Sequence, residues 1–156
     1  MKTDPVENLV QRLKEVGKTL ATAESCTGGL LGKRITDVSG ASGVYPGGVV
    51  SYSNDVKAKL LGVSEEDLRM FGAVSEPVAR QMAEGVRLAI CADLGVGITG
   101  IAGPKSDDTK KPVGLVYIAA SNGEKTVCVE CHFDGNRSEI RMHSADEAAN
   151  LVMKLL

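Results

Sequence analysis

Three residue types that can do hydrolytic chemistry without histidine fall close together in SGASGVYPGGVVSYSNDVK, residues 39–57, which carries Ser42, Tyr52 and Lys57. A serine hydroxyl is a weak nucleophile until a base removes its proton. A lysine can be that base when burial or a neighbouring cation pulls its pKa well below about 10.4. Taken alone, these residues read more readily as a turn serine, a core tyrosine and a solvated helix lysine. The two histidines, His132 and His143, have no triad-like surroundings.

TAESCTGG, residues 22–29, is a second chemical stretch, running from a strand-like segment into Ser25, Cys26, Thr27, Gly28 and Gly29. It can be read as a thiol nucleophile, as an anion cradle or as a tight turn. Glycines opening a helix leave backbone N–H groups unpaired, with a partial positive charge that suits an anion, and the Ser25 and Thr27 hydroxyls add donors. TGGLLGK echoes a phosphate-binding loop, but Thr27 stands at the first glycine position and Arg34 replaces the magnesium-binding hydroxyl. A nucleoside triphosphatase is therefore not expected.

GVGITG places Gly95, Gly97 and Gly100 on the spacing of a dinucleotide-binding loop. That fingerprint needs a helix to start at the glycines, whereas here the chain runs through Ile101-Ala-Gly-Pro104 into a charged stretch. Read as a strand, the segment turns Leu94, Val96 and Ile98 to one side and Gly95, Gly97 and Thr99 to the other. The smooth glycine side suits close packing or a ligand. CVECH, residues 128–132, spells a haem-attachment pattern, but the alternation of Val127, Val129, Cys131 and Phe133 reads as a half-buried strand. Cys128 and Cys131 would then face opposite ways and share no metal.

The elements that must position these groups follow from periodicity and punctuation. Asp4, Pro5 and Gly17 bound a helix with Val6, Leu9, Val10, Leu13 and Val16 along one stripe. A strand over 19–24, a helix over 28–38, a loop over 39–48 and the strand-like VVSYS come next. Asn54 then caps a short helix through Leu61. Ser64 opens another short helix, and Ser75 a longer one bearing Val78, Met82, Val86, Ala89 and Ile90. Strands are expected over 94–101, 113–120 and 125–133, the last two joined by Asn122-Gly123, a hairpin signal. Asn136 with Glu139 caps a closing helix that turns Ile140, Ala145, Ala148, Leu151, Val152 and Leu155 inward. Lys105 to Lys111, KSDDTKK, reads as an exposed loop. The expected fold is one α/β domain over residues 1–156, a mixed sheet flanked by helices.

The chain has 156 residues, 43% of them hydrophobic, enough for one core, and a formal net charge of −2. No basic field draws it to nucleic acid, no run approaches the roughly 20 apolar residues of a membrane span, and the polar start MKTDPVENLVQRL lacks a secretory signal. A cytoplasmic location is expected, with no nucleic-acid and no membrane partner. A homo-oligomer is compatible with the sequence, which does not give the oligomeric state.

AESCTGG (23–29), GGVVSYSNDVK (47–57), FGAVSEPVA (71–79), GITGIAGP (97–104), KPVGLVYIA (111–119) and FDGNRSEIR (133–141), in this order, resemble the C-terminal domain family of CinA proteins. The resemblance spans nearly the whole chain and is to the stand-alone version, without the separate N-terminal domain of fused members. It implies hydrolysis of the carboxamide of nicotinamide mononucleotide to nicotinate mononucleotide and ammonia, in pyridine-nucleotide salvage, with no metal or organic cofactor. It further implies Ser42 as nucleophile, Tyr52 and Lys57 as its partners and Arg137 as a stabiliser of negative charge. Ser25, Thr27, Gly28, Gly29, Thr99 and Gly100 are expected to shape the nucleotide pocket, and Cys26 is not the expected nucleophile. Family members commonly carry a glycine-rich stretch where this chain has KSDDTKK, and that departure leaves open a nucleotide-sensing or protein-interaction module without useful turnover.

Overall fold

The computed structural model describes residues 3–106 and 109–156; Asp107 and Asp108 of the charged stretch lie outside the described residues. The first helix, α1 (Pro5–Val16), forms where its boundary residues dictate. The Asp4 carboxylate accepts from the N–H groups of Val6 and Glu7, and Gly17 ends the helix at φ +67°. Strand β1 (Leu20–Glu24) is buried on both faces, with Leu20 in one core cluster and Ala21 and Ala23 in the other.

Helix α2 (Leu30–Thr36) begins later than the sequence suggests, because Gly28 and Gly29 stand at φ +59° and +103°, outside the helical region. A 3-10 turn (Ala41–Gly43) leads into β2 (Gly47–Val50). The expected VVSYS strand is displaced toward the N-terminus: Ser51 N–H still donates to Glu24 O, but Ser53 then accepts from Val56 N–H and starts α3 (Asn54–Leu61). The cap is thus Ser53 and not Asn54.

Helices α4 (Glu65–Phe71) and α5 (Glu76–Ile90) follow, the first capped by Ser64. The Ser75 hydroxyl donates to Gly72 O instead of capping α5, and Ala89, expected inward, is exposed. Strands β3 (Leu94–Gly100), β4 (Leu115–Ser121) and β5 (Thr126–His132) and helix α6 (Arg137–Met153) complete the chain, with Asn136 and Glu139 forming a reciprocal cap.

The sheet order is β2-β1-β3-β4-β5, parallel through the first three strands and antiparallel thereafter, so the fold is a mixed five-stranded α/β domain. One face is covered by α1, α2 and α6 and the other by α3, α4 and α5. The glycine side of β3 serves close packing: a Cβ at Gly95 would lie 2.1 Å from Ala83 O, and one at Gly97 would lie 2.8 Å from Ala79 O, both on α5. Cys128 packs toward that same helix and Cys131 joins the cluster on the opposite face. Among the described residues no helix is long and apolar enough to cross a membrane, and no group of His, Cys, Asp and Glu is arranged to hold a metal ion.

Candidate active site

A cavity of about 240 Å³ opens at the carboxyl ends of the parallel strands, where α/β sheets place their ligands. Each strand delivers one wall. Ser25 and Cys26 follow β1, Tyr52 and Asn54 follow β2, and Thr99 to Gly103 run off the end of β3, with Ala73 and Val74 closing the side. The first turns of α3 and α6 contribute Lys57 and Arg137.

Lys57 lies at the bottom of this cavity and is 1% exposed. Its Nζ donates to Ser25 Oγ at 3.0 Å, to Ser51 O at 2.8 Å and to Tyr52 O at 3.4 Å. Burial lowers its pKa from 10.5 to about 8, since an ammonium group loses hydration there. Arg137 is not a cause of that shift. The neighbouring Cys26 thiol is pushed the other way by burial, up to about 12, and stays protonated at neutral pH.

The turn after β1 is held from both sides. Glu24, 2% exposed, accepts from Leu31 and Gly32 N–H at 2.8 and 2.9 Å, supplying the cap that Gly29 cannot. Arg141 donates from Nε to Cys26 O at 3.1 Å and from Nη2 to Thr27 O at 2.8 Å. Inside the turn, Gly28 N–H donates to Ser25 O, and Ser25 N–H is taken by Ile98 O. The N–H groups of Cys26 and Thr27 donate to no oxygen among the described residues.

Ser42 is not part of this arrangement. It sits exposed in the 3-10 turn ahead of β2, where Val44 O accepts from Leu20 N–H at the opposite, amino end of β1. The five-residue strand separates the two ends by about 16 Å. Lys57 therefore pairs with Ser25 and not with Ser42. Tyr52 also differs from expectation: its main-chain carbonyl, not its phenol, meets Lys57, and the side chain is 67% exposed with a hydroxyl bonded to nothing among the described residues.

Of the residues expected to shape the pocket, Ser25, Thr99 and Gly100 line the cavity, with the Thr99 hydroxyl donating to Ala73 O at 2.9 Å. Thr27, Gly28 and Gly29 do not line it. They build the turn beneath it, and the Thr27 side chain is wholly buried, with no partner for Oγ1 among the described residues. Arg137 lines the cavity and donates to Gly103 O at 2.6 Å. Lys105 and Ser106, from the charged stretch, form part of the rim, and Lys111 Nζ donates to Phe71 O and Val74 O, tying the far end of that stretch to the cavity wall. Ser25 carries a signal legible in the sequence, a hydroxyl at the sharp turn between a strand and a helix, the placement found in nucleophile elbows.

Residues 2–156 match the CinA C-terminal domain family. The chain is 51% identical over 140 residues to a CinA-like protein of Sulfurihydrogenibium sp., covering 90% of this chain and 35% of that protein. It spans about a third of the length of the curated relatives it matches. Two crystal structures are similar over nearly their full length. The competence/damage inducible protein CihA from Agrobacterium tumefaciens is 38% identical with a TM-score of 0.91, covering 99% of this chain and 98% of that one. A competence-damaged protein (CinA) superfamily member from Escherichia coli is 33% identical with a TM-score of 0.94, covering 100% and 93%.

Proposed function

The chain belongs to the CinA C-terminal domain family, and from that membership we propose that it is a nicotinamide-nucleotide amidase, converting nicotinamide mononucleotide and water to nicotinate mononucleotide and ammonia. The observation that carries the reading is the contact between Lys57 Nζ and Ser25 Oγ at 3.0 Å beside a cavity, with the lysine pKa lowered to about 8. A neutral lysine against a serine hydroxyl is an acid–base pair for acyl transfer.

In this mechanism Lys57 takes the Ser25 proton as Oγ attacks the carboxamide carbon. The tetrahedral oxyanion accepts from the Cys26 N–H, which donates to no oxygen among the described residues. The C–N bond breaks as Lys57 returns its proton to the departing nitrogen, releasing ammonia and leaving an ester on Ser25. Water then adds to that ester with Lys57 again as base, and the proton goes back to Ser25 Oγ as nicotinate mononucleotide leaves. The carbonyls of Ser51 and Tyr52 hold Nζ in place through both proton transfers.

Arg137 and Lys105 supply positive charge at the rim of the cavity, away from the buried lysine, and suit the phosphate end of the substrate. The cytoplasmic location and the absence of a cofactor belong to the same reading. Ammonia release from nicotinamide mononucleotide by the purified protein, abolished in Ser25→Ala, is the deciding experiment. Tight nucleotide binding without ammonia would assign a sensing module instead.

A further inference from the structure

We propose that Arg141 is a positioning residue for the reaction, one that aims the oxyanion donor, the Cys26 N–H, by holding the carbonyl side of the peptides beside Ser25. The inference rests on the amidase reading of the cavity. Arg141 stands one helical turn after Arg137 on α6, so both guanidinium groups leave the same side of the helix. Arg137 holds Gly103 O at the end of the β3 wall. Arg141 forks onto Cys26 O and Thr27 O in the β1 turn. One helix thus braces two walls of the cavity.

The turn needs such a brace. Gly28 and Gly29 have positive φ and no Cβ, so the backbone after Ser25 is intrinsically the freest part of the site. A Cβ at Gly28 would stand 3.3 Å from Arg141 Nη2, which shows how closely the guanidinium lies against the turn. A trans peptide is planar, with its N–H directed opposite to its C=O. Fixing Cys26 O toward α6 therefore fixes the Thr27 N–H on the other side of that peptide. Fixing Thr27 O likewise sets the Gly28 N–H, which donates to Ser25 O at 3.1 Å and through that carbonyl sets the Cys26 N–H. Thr27 O also accepts from Leu30 N–H at 3.0 Å, so Arg141 and the start of α2 together orient the Cys26 donor beside the serine. A positive charge on the carbonyl side also polarises each peptide, leaving its N–H a stronger donor. Lysine cannot reproduce this geometry, because a single ammonium lacks the planar fork that spans two carbonyls.

The test uses the purified full chain with Arg141→Lys and Arg141→Ala. The measurements are kcat and KM for nicotinamide mononucleotide, the labelling rate of Ser25 by a fluorophosphonate probe, and the melting temperature. The expected result for Arg141→Lys is a kcat lower by about ten- to a hundredfold, as for a misplaced catalytic group, with KM within about threefold and slower probe labelling. Methylguanidinium added to Arg141→Ala is expected to restore part of its kcat while leaving Arg141→Lys unchanged. Parental kcat and labelling in Arg141→Lys would overturn the inference. So would a loss confined to KM, a loss that only follows the unfolded fraction without rescue, or failure of both variants to fold. If the parent is labelled but inert toward the nucleotide, the substrate assignment falls while the labelling rates still decide the role of Arg141. A parent neither labelled nor active removes both.

Discussion

Lys57 Nζ and Ser25 Oγ are 3.0 Å apart although 32 residues separate them in the chain. The parallel pairing of β1 with β2 brings them together, because both strands release their chain at the same end of the sheet. That relationship sets the first expectation. Ser25→Ala should lose activity by about a thousandfold or more while Ser42→Ala, changed at the opposite end of the strands, and Cys26→Ala keep most of it. Steady-state ammonia release by the three variants checks this, and a dead Ser42→Ala with an active Ser25→Ala would refute the pairing.

The pH profile follows from the lowered Lys57 pKa. The base must be neutral, so kcat/KM should climb about tenfold per pH unit below pH 8 and level off above it. Lys57→Arg should be almost inactive at every pH, since arginine retains its proton. The stability linkage has the same origin. Below about pH 8 Lys57 is protonated in both folded and unfolded chains, and its burial cost is fully present; as pH rises from about 8 to 10.5 only the unfolded chain holds the proton, and the cost disappears. Stability of the parent relative to Lys57→Met should therefore rise across that window, by about 3 kcal/mol for a shift of this size. A flat difference in denaturant titrations at pH 7 and 10.5 would contradict it.

Packing at the back of the site gives a test independent of activity. A Cβ at Gly97 would lie 2.8 Å from Ala79 O and from Met82 Cβ, and 2.9 Å from Ala83 N. These are backbone and near-backbone atoms of α5, which cannot yield without moving the helix. Gly97→Ala should cost about 1 to 3 kcal/mol, read as a lower denaturation midpoint. An unchanged midpoint would mean that the helix rests less tightly on β3.

Cys91 ends α5 at φ +61°, a conformation in which its side chain is strained, and the side chain is exposed. Cys91→Gly should stabilise the protein by up to about 1 kcal/mol, because glycine removes the left-handed cost at a helix end. Calorimetry of the two proteins checks it, and a lower melting temperature would count against the strain.

Much of this was legible in the sequence where local chemistry decides. The Asp4, Pro5 and Gly17 boundaries of α1, the Asn136 and Glu139 cap and the Asn122-Gly123 hairpin are each set by residues a few positions apart. Alternation alone turned Gly95 and Gly97 to one side of β3, and the choice between close packing and a ligand there waited on the position of α5. Lys57 could be recognised as a candidate base, but its serine could not be chosen by proximity in the chain. Ser42 is nearer along the sequence, and only strand direction puts Ser25 beside the lysine. Arg141 left no local signal, because its partners are main-chain carbonyls 114 and 115 residues away. The displaced start of α2 had a visible cause in two adjacent glycines, whereas the early end of β2 depended on which of two neighbouring residues, Ser53 or Asn54, takes the cap.

Substrate orientation is the remaining expectation, and it concerns charge at the rim. With the carboxamide at Ser25, the phosphate of the nucleotide should reach toward Arg137 and Lys105, the cations contributed by the α6 start and the charged stretch. Arg137 spends Nη1 on Gly103 O, and among the described residues no other group takes the rest of its fork. A charge-assisted contact to phosphate is typically worth about 1.5 to 3 kcal/mol, so nicotinamide riboside, which lacks the phosphate, should show kcat/KM lower by roughly ten- to a hundredfold. Arg137→Gln should impair the nucleotide by a similar factor and leave the riboside nearly unaffected. The double comparison isolates the contact, since a structural effect of the substitution on the Gly103 wall would lower both substrates together. Equal losses for nucleotide and riboside in Arg137→Gln would place the phosphate elsewhere and leave Arg137 as a brace for the β3 wall.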